Sequence, residues 1–90
     1  MNKKRDRLGV IFGILNYINL QHNSVKPTPL LRHSGLSSSS FTEYYQELIG
    51  KGFIKEIIDK NGKYATLTDK GFKYLEKYKT ILGFIQEFEL

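Results

Sequence analysis

Between Thr28 and Thr68 the chain sets two short helical segments across a tight turn, then a strand pair closed by Asp59-Lys60-Asn61-Gly62-Lys63. No other feature constrains the fold as much. Thr28 is predicted to cap a helix from Pro29 to His33, since proline suits the first helical position, where no N–H is needed. Leu30 and Leu31 face inward. Ser34-Gly35-Leu36 makes the turn: Gly35 takes the positive φ that ends the helix, and Leu36 plugs the gap between helices. Ser37 caps a longer helix from Ser38 to Lys51. Phe41, Tyr44, Tyr45, Leu48 and Ile49 share one face of it; Ser39, Thr42, Glu43 and Gln46 share the other. Gly52 stops it. Phe53 to Ile58 reads as a half-buried strand, Asn61-Gly62 as a hairpin turn, and Tyr64 to Leu67 as the returning strand.

The flanks supply two more helices. Leu8, Ile11, Phe12, Leu15 and Ile18 recur at helical spacing, predicting a helix from Lys4 to Leu20 that ends near His22-Asn23. Gly9 and Gly13 each cost it about 1 kcal/mol relative to Ala, and their spacing suits close approach of another helix. Val25-Lys26 is predicted as a very short strand pairing with the hairpin. Thr68 and Asp69 open a last helix reaching Glu89, roughly 30 Å long. Phe72, Leu75, Tyr78, Leu82 and Ile85 form one stripe on it; Tyr74, Ile81 and Phe88 form a neighbouring one. A small domain covers only the first half of this surface. The excess from Tyr78 to Phe88 is expected to pack against a second copy of the chain.

Ninety residues make one domain with a limited core, for which oligomerisation is a common remedy. The absence of cysteine excludes a disulfide framework, cysteine-ligated zinc and thiol catalysis. The net charge of +5 favours polyanionic partners only slightly; placement says more. Lys3, Lys4, Arg5 and Arg7 cluster at the N-terminus, Lys55, Lys60 and Lys63 around the hairpin, and Lys70, Lys73, Lys77 and Lys79 on the last helix. Lys3 to Arg5 precede an apolar run, but Asp6, Arg7 and Asn16 interrupt it and no small-residue cleavage site follows, so it reads as a helix of a cytoplasmic protein rather than an export signal. No run approaches the length of a membrane span.

The element order is that of an α+β, mostly helical winged helix-turn-helix: three helices and a β-hairpin wing over residues 1–71, continued by a long C-terminal dimerisation helix over 72–90. In that arrangement the helix from Ser38 enters the major groove of double-stranded DNA. Its outward residues are Ser38, Ser39, Ser40, Thr42, Glu43 and Gln46. Hydroxyls donate to phosphate, Gln46 suits adenine and Glu43 suits cytosine N4. The alternative is a solvated capping segment. With no Arg or Lys before Lys51, strong guanine readout is not expected. Arg32 is a candidate phosphate contact and Lys26 a further candidate DNA-binding residue. His33 is either another or a surface histidine capping its helix. Lys60, Asn61 and Lys63 form the wing tip, expected on the minor groove or its phosphates, with a plain solvated turn as the alternative.

Nothing points to catalysis: there is no phosphate-cradling glycine loop, no facing carboxylate pair and no nucleophile elbow. His22 and His33 lack spaced carboxylate partners, so neither metal nor cofactor is expected.

The chain resembles the small archaeal winged-helix proteins, both transcription regulators and dimeric 10-kDa chromatin-type proteins, and is similar to regulators of archaeal viruses. The pieces that carry the resemblance are Lys4-Arg5-Asp6-Arg7-Leu8, Leu48-Ile49-Gly50-Lys51-Gly52-Phe53-Ile54 and Tyr64-Ala65-Thr66-Leu67-Thr68-Asp69-Lys70-Gly71. The resemblance implies a nucleoid-associated homodimer, joined through an antiparallel coiled coil of the last helix. Leu75, Tyr78, Ile81, Leu82, Ile85 and Phe88 would form that interface. Gly83 and the early end at Leu90 make the coiled coil short, which brings helix 1 into consideration as a second dimer element. Three functions compete: a transcription regulator, a nucleoid protein without sequence preference, and a winged-helix module that docks a protein.

Overall fold

A computed structural model describes residues 6–90. The elements run α1 (Arg7–Leu20), α2 (Pro27–Ser34), α3 (Ser38–Gly50), β1 (Ile54–Asp59), β2 (Gly62–Leu67) and α4 (Asp69–Glu87). The predicted helix start at Lys4 and the basic residues Lys3, Lys4 and Arg5 lie outside the described residues. Among the described residues, no helix is long and apolar enough to cross a membrane.

Helix α1 is the centre of the fold, in contact with α2, β2 and α4. Asp6 caps it, its carboxylate accepting from the Gly9 N–H at 2.7 Å. Because neighbours cover it on several sides, its buried arc is wider than a single stripe. Val10, Ile11, Ile14, Leu15 and Ile18 are buried, whereas Leu8, expected inside, is 53% exposed. Phe12 is half-buried and stacks on Tyr78 of α4, with ring centres 4.6 Å apart. Leu30 of α2, Phe41, Tyr45 and Leu48 of α3, Ile54, Ala65 and Leu67 of the hairpin and Leu75 of α4 complete the core.

The exit from α1 is fixed by Asn23. It adopts a left-handed conformation (φ 61°), and its amide oxygen accepts from the Leu67 N–H at 2.7 Å. Val25 then exchanges two backbone hydrogen bonds with Ala65, at 3.2 and 2.7 Å. The predicted short strand is therefore a single bridge, but it lies beside the wing as expected. Helix α2 starts at Pro27, two residues before the predicted Pro29. Pro27 itself fills the first helical position and holds Lys26 extended, so Lys26 rather than Thr28 precedes the helix, with no side-chain cap. Gly35 ends α2 at φ 73°, as its place in the turn requires. Ser37 caps α3 by accepting from the Ser40 N–H at 3.2 Å.

The wing pairs β1 and β2 antiparallel, from Ile54 opposite Leu67 to Asp59 opposite Gly62. The turn is thus Lys60-Asn61, one residue earlier than the Asn-Gly step suggested. Asp59 stabilises it by accepting from the Asn61 N–H at 2.8 Å. Gly62 supplies the positive φ (124°) as the first residue of β2.

Helix α4 is welded to the base of the wing. Thr68 caps it, accepting from the Gly71 N–H at 3.2 Å, and its own N–H and hydroxyl both reach the Phe53 carbonyl at 3.1 Å. The Lys70 ammonium donates to the Lys51 carbonyl at 2.7 Å and lies 4.7 Å from the centre of the Phe53 ring. Gly71 passes so close to β1 that a Cβ there would stand 2.3 Å from the Phe53 oxygen. Leu75 is buried, and every residue from Lys79 to Leu90 is exposed. The helix ends at Glu87, just short of the predicted Glu89.

Candidate nucleic-acid interface

Helix α3 is oriented by what it buries. Phe41, Tyr45 and Leu48 anchor one side in the core, which leaves Ser38, Ser39, Thr42, Glu43 and Gln46 exposed, with Ser40 half-buried. These residues are not equally free. The Thr42 hydroxyl donates to the Ser38 carbonyl at 2.9 Å, so its lone pairs and methyl remain for an outside partner. The Ser37 and Ser39 hydroxyls stand 3.4 Å apart. Gln46 has no partner among the described residues, leaving its amide wholly available. Glu43 borders this row, in a shallow concavity of about 170 Å³ lined by Arg7, Tyr44 and Glu47. There Glu47 pairs with Arg7 of α1 and, at 2.9 Å, with Lys51.

The candidate cations fall into two groups. Arg32 on α2 and Lys60 at the wing tip are exposed and unpaired among the described residues. Lys26 and Lys63 are tethered. The Lys26 ammonium lies 5.6 Å from the Tyr64 ring centre, next to Gly62. Lys63 lies 3.8 Å from the Glu56 carboxylate. Asn61 is exposed, its backbone N–H held by Asp59 and its side-chain amide outward. His33 stacks on Tyr17, with ring centres 3.9 Å apart and planes 13° from parallel, so the imidazole is braced against α1 while remaining exposed.

Sequence reasoning placed Tyr45 in the core but missed what its hydroxyl does. It donates to Glu56 of β1 at 2.7 Å, and Glu56 in turn faces Lys63. Burial, reinforced by the adjacent carboxylate, pushes the Tyr45 hydroxyl well above the usual tyrosine range. It therefore remains a protonated donor, and the helix and wing are joined by a charge-assisted hydrogen bond. No local sequence signal marks this pair, because it depends on strand register against a helix face.

The predicted dimer residues divide. Leu75 is buried in the core of its own chain and has no surface left for a second one. Tyr78 is half-buried against Phe12. Ile81, Leu82, Ile85 and Phe88 are exposed, as are Phe84 and Leu90, which the prediction omitted.

Two helices meeting across a glycine turn, over a third helix and beside a cationic hairpin, define a small helix-turn-helix head with a wing. The chain belongs to the winged helix-turn-helix family, whose sequence model matches residues 4–85. Among solved structures it is similar to F93 from STIV, described as a winged-helix DNA-binding protein (20% identity, TM-score 0.74, 88% of this chain and 91% of that one). It is similar also to Sso10a-2, a DNA-binding protein from Sulfolobus solfataricus (15% identity, TM-score 0.77, 94% and 86%). A third is the transcriptional regulator Tm0710 from Thermotoga maritima (21% identity, TM-score 0.66, 88% of this chain and 60% of that one). These likenesses establish the fold. No curated protein matched by sequence.

Proposed function

We propose that this protein is a dimeric, double-stranded-DNA-binding transcription regulator. Helix α3 enters the major groove, and the wing rests on the backbone or minor groove. The observation that carries the reading is the uncovered row of Ser39, Thr42 and Gln46 on a helix locked from behind by its core residues and by the Tyr45–Glu56 bond. Arg32, Lys60 and Lys63 supply phosphate contacts, with Lys26 behind the wing. What the three similar structures are called agrees with this reading.

Dimerisation rests on the exposed apolar face of α4. Ile81, Leu82, Ile85 and Phe88 follow helical spacing on a stretch whose residues are all exposed. Burying such a side chain stabilises by about 1.5–3 kcal/mol, so a few pairs suffice for association. Two heads on one helical axis would then address two half-sites.

A second reading, a nucleoid protein without sequence preference, draws on the same face. Its row holds no Arg or Lys, and the Thr42 donor is already engaged. The test is fluorescence anisotropy with a mixed-sequence duplex at two salt concentrations, beside Lys60→Glu/Lys63→Glu. Binding that weakens with salt and collapses in the variant supports the DNA face; no binding at low salt refutes it. Selection from random duplexes then separates regulator from nucleoid protein.

A further inference from the structure

The wing carries an apolar residue where a solvated hairpin would place a polar one. Ile58 is 72% exposed, one of the most exposed large apolar side chains of the protein. It lies one residue before Asp59, at the outer end of β1, opposite Lys63 and two positions from Lys60. Strand alternation puts it on the same face as Glu56. Glu56 is bonded to Tyr45 of α3. Ile58 therefore projects on the α3 side of the wing, past the point where α3 covers it. Ile57 points to the opposite face, paired with Tyr64.

The surroundings select the occupant. Lys60 is unpaired among the described residues and Lys63 sits directly across from Ile58, whereas Lys26 lies over Tyr64 on the opposite face, at the Gly62 edge. Two acids stand among the lysines, Asp59 accepting from the Asn61 N–H and Glu56 held by Tyr45 and Lys63, which leaves the tip a small positive balance. An aliphatic tip flanked by Lys60 and Lys63 is complementary to a surface with an apolar interior and anionic rims. Duplex DNA has that form, with stacked bases between two phosphate backbones.

Resting on the DNA-binding reading above, we propose that Ile58 is a wedge. The wing enters the minor groove, Lys60 and Lys63 hold the flanking phosphates, and Ile58 inserts at a base step and kinks the duplex. Apolar wedges of this kind bend DNA by about 20–90° toward the major groove, preferentially at easily unstacked pyrimidine–purine steps. The ordered contact between α3 and the wing sets the angle at which the wedge arrives.

The experiment uses the full chain and an end-labelled mixed-sequence duplex containing TA steps, one adenine replaced by 2-aminopurine. Anisotropy reports binding; energy transfer between the ends reports bending; 2-aminopurine emission reports unstacking. Wild-type protein is expected to bring the ends closer and raise the emission. Ile58→Ala is expected to lose both signals while keeping the wild-type dependence of affinity on salt, because its phosphate contacts are untouched. Ile57→Ala, on the other face, keeps both. Ile58 is exposed, so equal thermal melts confirm that its variant folds. Wild-type binding to a straight duplex, or bending retained in Ile58→Ala, overturns the wedge and leaves DNA binding intact. Absence of binding by the wild type at low salt overturns both.

Discussion

Replacing Gly71 with alanine puts a methyl group 2.3 Å from the Phe53 carbonyl oxygen and 3.2 Å from a Leu67 methyl. Ordinary contact begins near 3.4 Å, so α4 and β1 must part by about an ångström. The oxygen concerned cannot simply swing away. It accepts from the Thr68 N–H at 3.1 Å and shares the Thr68 hydroxyl, also at 3.1 Å, with the nearer Gly52 carbonyl. Separation stretches both bonds, worth about 1 kcal/mol apiece, and overpacking of this kind costs about 1–3 kcal/mol. Alanine returns about 1 kcal/mol through its helix propensity. The balance is a loss of about 2–4 kcal/mol, or about 8–32 °C in Tm for a domain of this size. Gly50→Ala is the matched control: it is also helical, with nothing within 4 Å of the new Cβ, and should gain up to about 1 kcal/mol. Thermal and urea melts by circular dichroism, at one protein concentration throughout, read both. A Gly71→Ala protein as stable as its parent would refute the close approach and with it the account of how α4 is fixed to the wing.

The other predictions use different groups. Burial pushes the Tyr74 hydroxyl up to about 12 and raises Tyr45 further still. The unfolded chain therefore ionises first, and stability that is complete below pH 10 falls as pH rises toward 12; Tyr45→Phe/Tyr74→Phe should flatten that fall in melts run from pH 9 to 12. Ile81→Lys/Ile85→Lys should sediment as a monomer at concentrations where the parent is a dimer, with its melt above the micromolar range no longer concentration-dependent; a parent that is monomeric throughout removes the dimer proposal. Asn23→Gly keeps the backbone conformation but leaves the Leu67 N–H without its acceptor, for a loss of about 1–3 kcal/mol; Asn23→Ala should lose more, since alanine resists φ near 61°. Arg32→Ala should reduce the slope of log affinity against log salt by about 0.9, the share of one phosphate contact.

What the sequence reveals, and what it conceals, follows from the range of each interaction. The turn at Gly35, the Ser37 cap and the stop at Gly52 are local rules, and each stands where it was read. Even the bridge at Val25 was anticipated, because its extended context and the nearby wing agree. Errors arise where two signals compete or where the partner is remote. Two prolines flank Thr28, and the first of them starts the helix. The Asn-Gly step named the hairpin but misplaced its turn by one residue, since Asp59 caps Asn61 instead. Leu8 shares the face of Ile11 and Leu15 by spacing but stands in the first turn of α1, where it is exposed. Leu75 reads as a dimer residue because the sequence does not show where the domain core stops claiming α4, and the structure buries it in that core. The Tyr45–Glu56–Lys63 link was invisible for the same reason: it needs the register of the wing and the roll of α3 together.

On the proposed DNA-binding reading, that link bears on how a head with sparse base-reading chemistry can discriminate among sites. The outward row of α3 offers hydroxyls and one amide, and such contacts separate bases weakly when each acts alone. Geometry can supply the remainder. Tyr45 and Glu56 fix the wing against α3, while Thr68, Lys70 and Gly71 fix α4 against the base of the wing. On the proposed reading, the distance and angle between two heads are then rigidly inherited from the packing of two α4 helices. Half-site spacing becomes the recognised feature, joined by the deformability of the step that Ile58 enters. Specificity would reside less in the residues that face the groove than in the buried contacts behind them.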